Sequence, residues 1–350
     1  MIRLYRVAGA VLAASLVVAV SAAPGASAAP AACTWTQTIL PLPKGALTGE
    51  VWAADGNGGY AGTVSFGADS PEGGHVVLWK NGKVVDYGNL PLPGYENWVT
   101  TTGVNRGGTV VGMAYQTPNG FPSAIRSRDG KLERLPELPG ADASRAEGVN
   151  DAGDIVGGVE TTVDGSPYWN PVIWPADKPG TVVKLAGLPA TEASATGIDQ
   201  DGTVLVEVDD PGGNRVPYLW KDGKARKLSF PGKGYDVVTR GISNGRVIGQ
   251  VDYPSGSSGG VLWERDGKPK AMKQGVDIEG LNRDGQIVGR TEDPSWHVFG
   301  VWKLTALDST LRYSADHGLD LHVSSDDGTI AGRTWKFPGG YDEPTVWKCG

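Results

Sequence analysis

Two sets of side chains in this chain have the types and spacing to do chemistry. The first precedes a recurring Gly-Val-Asn-like triplet. Trp52, Thr102, Glu147, Thr196, Arg240, Glu279 and His322 stand one place before it, and Glu50, Thr100, Arg145, Ser194, Val238, Asp277 and Asp320 stand three places before. The positions between are mostly apolar or small, so period-two alternation gathers the polar set on one face of a strand. Glu147, Asp277 and Glu279 beside Arg145, Arg240 and His322 could cleave a glycosidic bond, one carboxyl acting as acid and another as base or nucleophile. The second set is aromatic and acidic and falls in variable segments: Tyr168, Trp169, Tyr253, Trp296, Trp335 and Tyr341, with Tyr115, Phe121, Phe299, Phe337, Tyr95, Trp98 and Tyr235. Such rings stack on the C–H faces of a sugar while neighbouring carboxylates and amides meet its hydroxyls, or else they build small apolar cores over the loops.

Glu160, Asp209, Asp252 and Glu292 occupy one register position in four consecutive units. They read as an acidic arc for a cation, a basic peptide or sugar hydroxyls, or as solvated loop carboxylates. Other patterns offer less. Gly256-Ser257-Ser258-Gly259-Gly260 matches the Gly-x-Ser-x-Gly form without its strand-to-helix context. Four histidines, with only His317 and His322 close in sequence, leave little material for a metal site or a Ser-His-Asp triad. No catalytic residue, metal or cofactor is assigned.

What must position these residues is a repeat. Gly103-Val104-Asn105-Arg106-Gly107-Gly108-Thr109-Val110-Val111-Gly112 returns from Gly148, Gly197, Gly241 and Gly280, with degenerate copies at Ala53 and Val323. The seven copies have a period of about 40 to 50 residues, the length of one four-stranded propeller blade. A second element follows each variable loop: an apolar strand ending in Trp79, Trp174, Trp220, Trp263, Trp302 or Trp347, with Arg126 in the second unit. A tryptophan fixed at one strand position reads as core between sheets. Tight turns such as Asn81-Gly82, Asp129-Gly130, Asp222-Gly223 and Asp266-Gly267 then lead to an outer strand with a Leu-Pro close, as at Leu90-Pro91-Leu92-Pro93. The fold predicted is an all-β, seven-bladed propeller.

The last unit stops at Trp347-Lys348-Cys349-Gly350 without an outer strand, and Thr34 to Pro43 carries one with the same Leu-Pro-Leu-Pro close. Superposing the two places Gly350 on Gly82, Cys349 on Asn81 and Cys33 on Lys83, so that the two cysteines flank one hairpin turn and are predicted to pair. Short turns fall at one end of the ring and long, variable loops at the other, and function is expected on the long-loop face. Residues 1–28 read as a secretory signal, with Arg3 and Arg6, an apolar run from Val11 to Val20 and Ala26-Ser27-Ala28, followed by a single domain over 29–350. A net charge of −7 without a basic cluster excludes nucleic acid as an expected partner, and no membrane insertion is expected.

The pairing of an apolar-Asn-x-x-Gly-x-Ile-Val-Gly segment with a Trp-x-x-Gly segment resembles the HAF family of extracellular bacterial repeats over nearly the whole chain after the signal. That resemblance implies a secreted propeller and little about chemistry. More distantly, the chain resembles propeller lectins of actinomycetes, including targeting subunits of secreted toxin particles. The reading is a secreted, non-enzymatic, lectin-like module that binds a carbohydrate or cell-surface polymer. The alternatives are a glycosidase or polysaccharide lyase with carboxylates at the channel mouth, and a protein-interaction subunit of an extracellular assembly with other secreted proteins. Ser324-Ser325-Asp326-Asp327-Gly328 partly resembles the Asp-box turn of sialidase propellers, with Ala331 where an aromatic is expected.

Overall fold

The computed structural model describes residues 33–67, 70, 72–90, 98–116 and 120–350. The expected signal segment, Tyr95 and the Pro91 to Pro93 close lie outside them. Seven four-stranded antiparallel sheets follow one another, each in the order a-b-c-d. The innermost strands a are Thr48–Ala54, Trp98–Val104, Ala141–Val149, Ala193–Ile198, Asp236–Ser243, Gly275–Leu281 and His317–Ser324. Seven clusters of buried apolar side chains each draw on two consecutive sheets, the seventh joining Val51, Tyr60 and Trp79 of blade 1 to Val323, Ala331 and Val346 of blade 7. The core is therefore a ring of inter-blade seams, because each sheet can bury its faces only against its neighbours.

The tryptophans of strands c lie in these seams and do more than fill them. Their indole N–H groups donate to backbone carbonyls at the outer end of the preceding blade: Trp79 to Pro41 at 2.7 Å, Trp174 to Pro136 at 2.6 Å, Trp220 to Ala186 at 2.7 Å, Trp263 to Ser229 at 2.7 Å and Trp302 to Lys273 at 2.8 Å. A large apolar body with one buried donor suits a position that must pack and also satisfy a stray carbonyl. The repeat asparagine acts similarly at the short-turn end. Asn105 Oδ1 accepts from Thr109 N within its own turn, and its amide donates to Asn150 O of the next blade.

The ring closes as the sequence predicts, through an N-terminal strand (Trp35–Ile39) added to the outer edge of the last one (Glu343–Cys349), with a Cys33–Cys349 disulfide at a Cα separation of 5.5 Å. The register differs from the superposition by three residues. Trp347 faces Gln37, where the hairpin analogy requires Thr34, and Cys349 faces Trp35. No covalent turn limits the ladder at this seam, so it runs on until the disulfide. The Asn81, Asp129 and Asp222 turns have the positive φ values of 54°, 50° and 49° expected of tight two-residue hairpins. The Asp266 turn does not. Glu264 lengthens it, and Gly267 alone takes positive φ, at 82°.

Candidate functional site

Every innermost strand has a β-bulge at the same place. The pairing of strands a and b skips one residue between Val51 and Ala53, Thr101 and Gly103, Ala146 and Gly148, Ala195 and Gly197, Thr239 and Gly241, Ile278 and Gly280, and Leu321 and Val323. The skipped residues are Trp52, Thr102, Glu147, Thr196, Arg240, Glu279 and His322, and all seven line one axial cavity of about 240 Å³. A bulge leaves its extra residue out of the ladder and re-aims the side chain, which is how a seven-fold backbone presents seven different groups to one channel. The glycine closing the repeat makes room for it. A Cβ on Gly112 or Gly157 would stand 1.9 Å from the carbonyl oxygen of Thr100 or Arg145, while blade 4 carries Val206 there.

The channel groups differ in how they are satisfied. Arg240 approaches Asp277 at 3.3 Å and Glu279 at 3.9 Å. His322 shares a 2.7 Å hydrogen bond with Glu50 and stacks on Trp52 at 4.3 Å between ring centroids. Burial raises the Glu279 carboxyl despite Arg240. Burial also pushes Glu147 up to about 7, with Arg145 opposing and Glu207 reinforcing the shift.

On the long-loop face, blades 6, 7 and 1 share a charged chain edged by aromatics. Arg290 donates to the carbonyl of Trp296 at 2.9 Å and to Asp320 at 2.5 Å. Asp320, which is buried, also accepts from Arg333 at 2.8 Å, and Arg333 reaches Asp342 at 3.1 Å and Glu50 at 3.2 Å. Burial opposes the Arg333 charge, but Glu50, Asp320 and Asp342 together hold its pKa above the ordinary value. Trp335 meets Tyr313 edge-on at 5.5 Å, Tyr313 stacks on His297 at 4.4 Å, and Phe337 packs beside both Tyr313 and Trp335. At the two ends of the chain Trp296 is 56% and Tyr341 62% exposed.

A second sector lies on blades 3 to 5. The Arg145 guanidinium covers Trp169 at 4.1 Å, and Lys184 stands 5.7 Å from the Tyr168 ring. Glu160 and Asp209 both act on Glu192, whose carboxyl is raised by burial and then by these like charges. Asp252 accepts from Ser258 at 2.6 Å, so that serine of the Gly-x-Ser-x-Gly stretch serves a loop contact. Burial raises the neighbouring Tyr253 hydroxyl. Arg215 pairs with Asp236 at 2.6 Å and feels the Asp252 charge. Glu292 lines a separate cavity of about 330 Å³ with Asp293 and Arg312. Among the described residues no group of three or more His, Cys, Asp or Glu side chains is arranged to hold a metal ion.

A further cavity, about 580 Å³, opens on the short-turn face between Asp199, Asn244, Arg265 and Arg283. At its edge the blade 5 turn, Ser243-Asn244-Gly245-Arg246, is one residue shorter than its counterparts. Its central carboxylate, Asp199, is occupied by the Asn244 and Gly245 amides at 3.0 and 2.6 Å. Arg290, Arg333, Tyr313, His297 and Asp342 escaped the sequence reading. The two arginines follow the closing glycine, where the other blades carry Thr63, Met113, Gly158, Glu207 and Gln250, so no repeat marks them.

No family model matches the chain, and no curated protein matches it in sequence. Solved propellers do match in shape. The β-propeller domain of the Trilobed protease from Pyrococcus furiosus, described as an open velcro topology, aligns with a TM-score of 0.56 and 14% identity over 88% of this chain and 95% of that one. The likeness is one of fold alone. The WD40 β-propeller domain of Doa1 gives 0.52 and 14% over 89% and 97%. TolB from Acinetobacter baumannii gives 0.52 and 12% over 84% and 67%. A prolyl endopeptidase gives 0.57 and 12% over 86% of this chain, which spans half the length of that enzyme.

Proposed function

We propose that this protein is an exported, non-enzymatic recognition module whose long-loop face binds a carbohydrate or cell-surface polymer. The observation that carries the reading is the juxtaposition of exposed Trp296 and Tyr341 with the Arg290–Asp320–Arg333–Asp342 chain. Flat apolar rings beside fixed donors and acceptors suit a ligand with C–H faces and hydroxyls. Trp335, packed against Tyr313 and Phe337, with Tyr168, Trp169 and Tyr253, and Glu160, Asp209, Asp252 and Glu292 among the acids, supplies further contacts around the face. The disulfide is compatible with export, and no helix among the described residues is long and apolar enough to cross a membrane. The motif resemblance to HAF repeats supports export, and the more distant resemblance to actinomycete propeller lectins supports recognition, including a role in directing attached secreted proteins to a target.

Retention on immobilised wall polymers and sugars tests it. Trp296→Ala should abolish retention and Trp169→Ala should weaken it less, because Trp169 is partly covered by Arg145. Unchanged retention in both variants would remove the loop-face assignment. One observation favours a second reading as a carbohydrate-active enzyme: the raised Glu147 carboxyl has the proton affinity of a general acid. Product formation from a polysaccharide, lost in Glu147→Gln and Glu279→Gln, would establish it.

A further inference from the structure

The channel holds three acceptors to which no described residue gives a donor. Glu147 of blade 3 lies between Thr102 of blade 2 and Thr196 of blade 4, and all three face the axial cavity. Both threonine protons are spent elsewhere. Thr102 Oγ1 donates to the Ala146 carbonyl at 2.7 Å. Thr239 donates its own proton to Glu207 at 2.8 Å, so in the 2.8 Å contact between Thr196 and Thr239 the donor is Thr196. Their lone pairs therefore remain available on either side of Glu147. The Glu147 carboxyl is half-buried in the channel wall and receives no hydrogen bond from any described residue. Arg145 acts on it only through its charge and is itself stacked on Trp169.

The other half of the ring is internally satisfied, Arg240 by Asp277 and Glu279 and His322 by Glu50. Trp52 is the exception. His322 stacks on one side of its ring, yet the residue stays 37% exposed within the cavity lining.

We propose that the channel binds a small primary amine, whose ammonium N–H donors are shared among Glu147, Thr102 and Thr196 while its alkyl chain lies against the open face of Trp52. Three donors meet three acceptors, and the single carboxylate balances the charge. A calcium ion, which takes six to eight oxygens, would be poorly served by this set. About 240 Å³ is ample for a short alkylamine. The site is independent of the long-loop reading and stands or falls separately from it. Binding requires ionised Glu147, so affinity should fall as the pH drops through about 7 and the carboxyl takes up its proton. Arg240, Glu279 and His322 are the other charged and titratable groups lining this cavity, and Arg145 and Glu207 act on Glu147 through their charges.

The test is calorimetric titration of the folded, disulfide-bonded protein with n-butylammonium at pH 8 and low salt. Saturable one-site binding is expected, at least about tenfold weaker in Glu147→Gln and in Thr102→Val/Thr196→Val. Tetramethylammonium, which has the charge but no N–H, and potassium should each bind at least about tenfold more weakly than butylammonium. Absence of saturable binding to the parent protein would overturn the proposal. So would equal binding of butylammonium by folded Glu147→Gln, or equal affinity for tetramethylammonium, and the ligand comparison needs no variant to fold.

Discussion

Replacing Glu147 by glutamine should stabilise the protein at pH 8 and change it little at pH 4.5. In the folded ring the carboxyl titrates at about 7 against an ordinary value of 4.5, because burial disfavours its charge and Glu207 adds to the effect. A raised carboxyl contributes stability in full below pH 4.5 and loses it as the pH climbs through 7, since the unfolded chain releases the proton first. At about 1.36 kcal/mol per pH unit the loss reaches roughly 3 kcal/mol above pH 7. Water in the channel screens part of this, so about 1–2 kcal/mol is the working expectation. Glutamine keeps the shape and carries no charge, and the difference between variant and parent isolates this group from Glu207, Glu279 and Asp342, which are shifted in the same direction. Urea unfolding followed by tryptophan fluorescence from pH 4.5 to 8 measures it, and thermal melts should show a gain of roughly 2–3 °C at pH 8. Parallel stability curves for the two proteins, or a variant less stable at pH 8, would refute the reasoning.

Two further changes probe the ring. Cys33→Ser/Cys349→Ser opens a cross-link spanning 316 residues, which costs about 6 kcal/mol on a chain-entropy account; the double variant should melt lower than the parent, and equal melting temperatures would assign closure to strand pairing alone. Arg333→Met leaves the buried Asp320 carboxylate with Arg290 as its remaining salt-bridge partner and should destabilise by about 3 kcal/mol or more in chemical denaturation. An effect below about 1 kcal/mol would mean that the charged chain across blades 6 and 7 is held by its surroundings and not by Arg333.

The architecture was legible because its determinants are local and repeated. A glycine turn, a tryptophan at a fixed strand position and a Leu-Pro close each leave a residue-type signature at constant spacing, and seven copies reinforce one another. Even the closure was readable, since an orphan outer strand and an unpartnered blade are complementary deficits. Its register was not, because the hairpin analogy presumed a covalent turn where there is none. The channel ring was found by alternation, although what aims Trp52, Glu147 or His322 is a bulge that alternation alone does not reveal. Arg290 and Arg333 were invisible for a different reason: each is a single departure from the repeat, and the chain linking Trp296, Asp320 and Asp342 exists only where two blades meet. The exposed rings were legible as residues but not as a group. Trp169 and Trp296 look alike in sequence, yet one is covered by a guanidinium and the other stands free of the blades.

The central claim is recognition through the long-loop face. Its most direct test is an array of glycans and bacterial wall polymers probed with the labelled, disulfide-bonded protein and, in parallel, with Trp296→Ala/Tyr341→Ala. Both substituted residues are largely exposed, so the variant should melt within about 2 °C of the parent. Selective binding to one ligand class by the parent, lost in the variant, is the predicted result. No binding by the folded parent, or binding that survives the double substitution, would contradict the account.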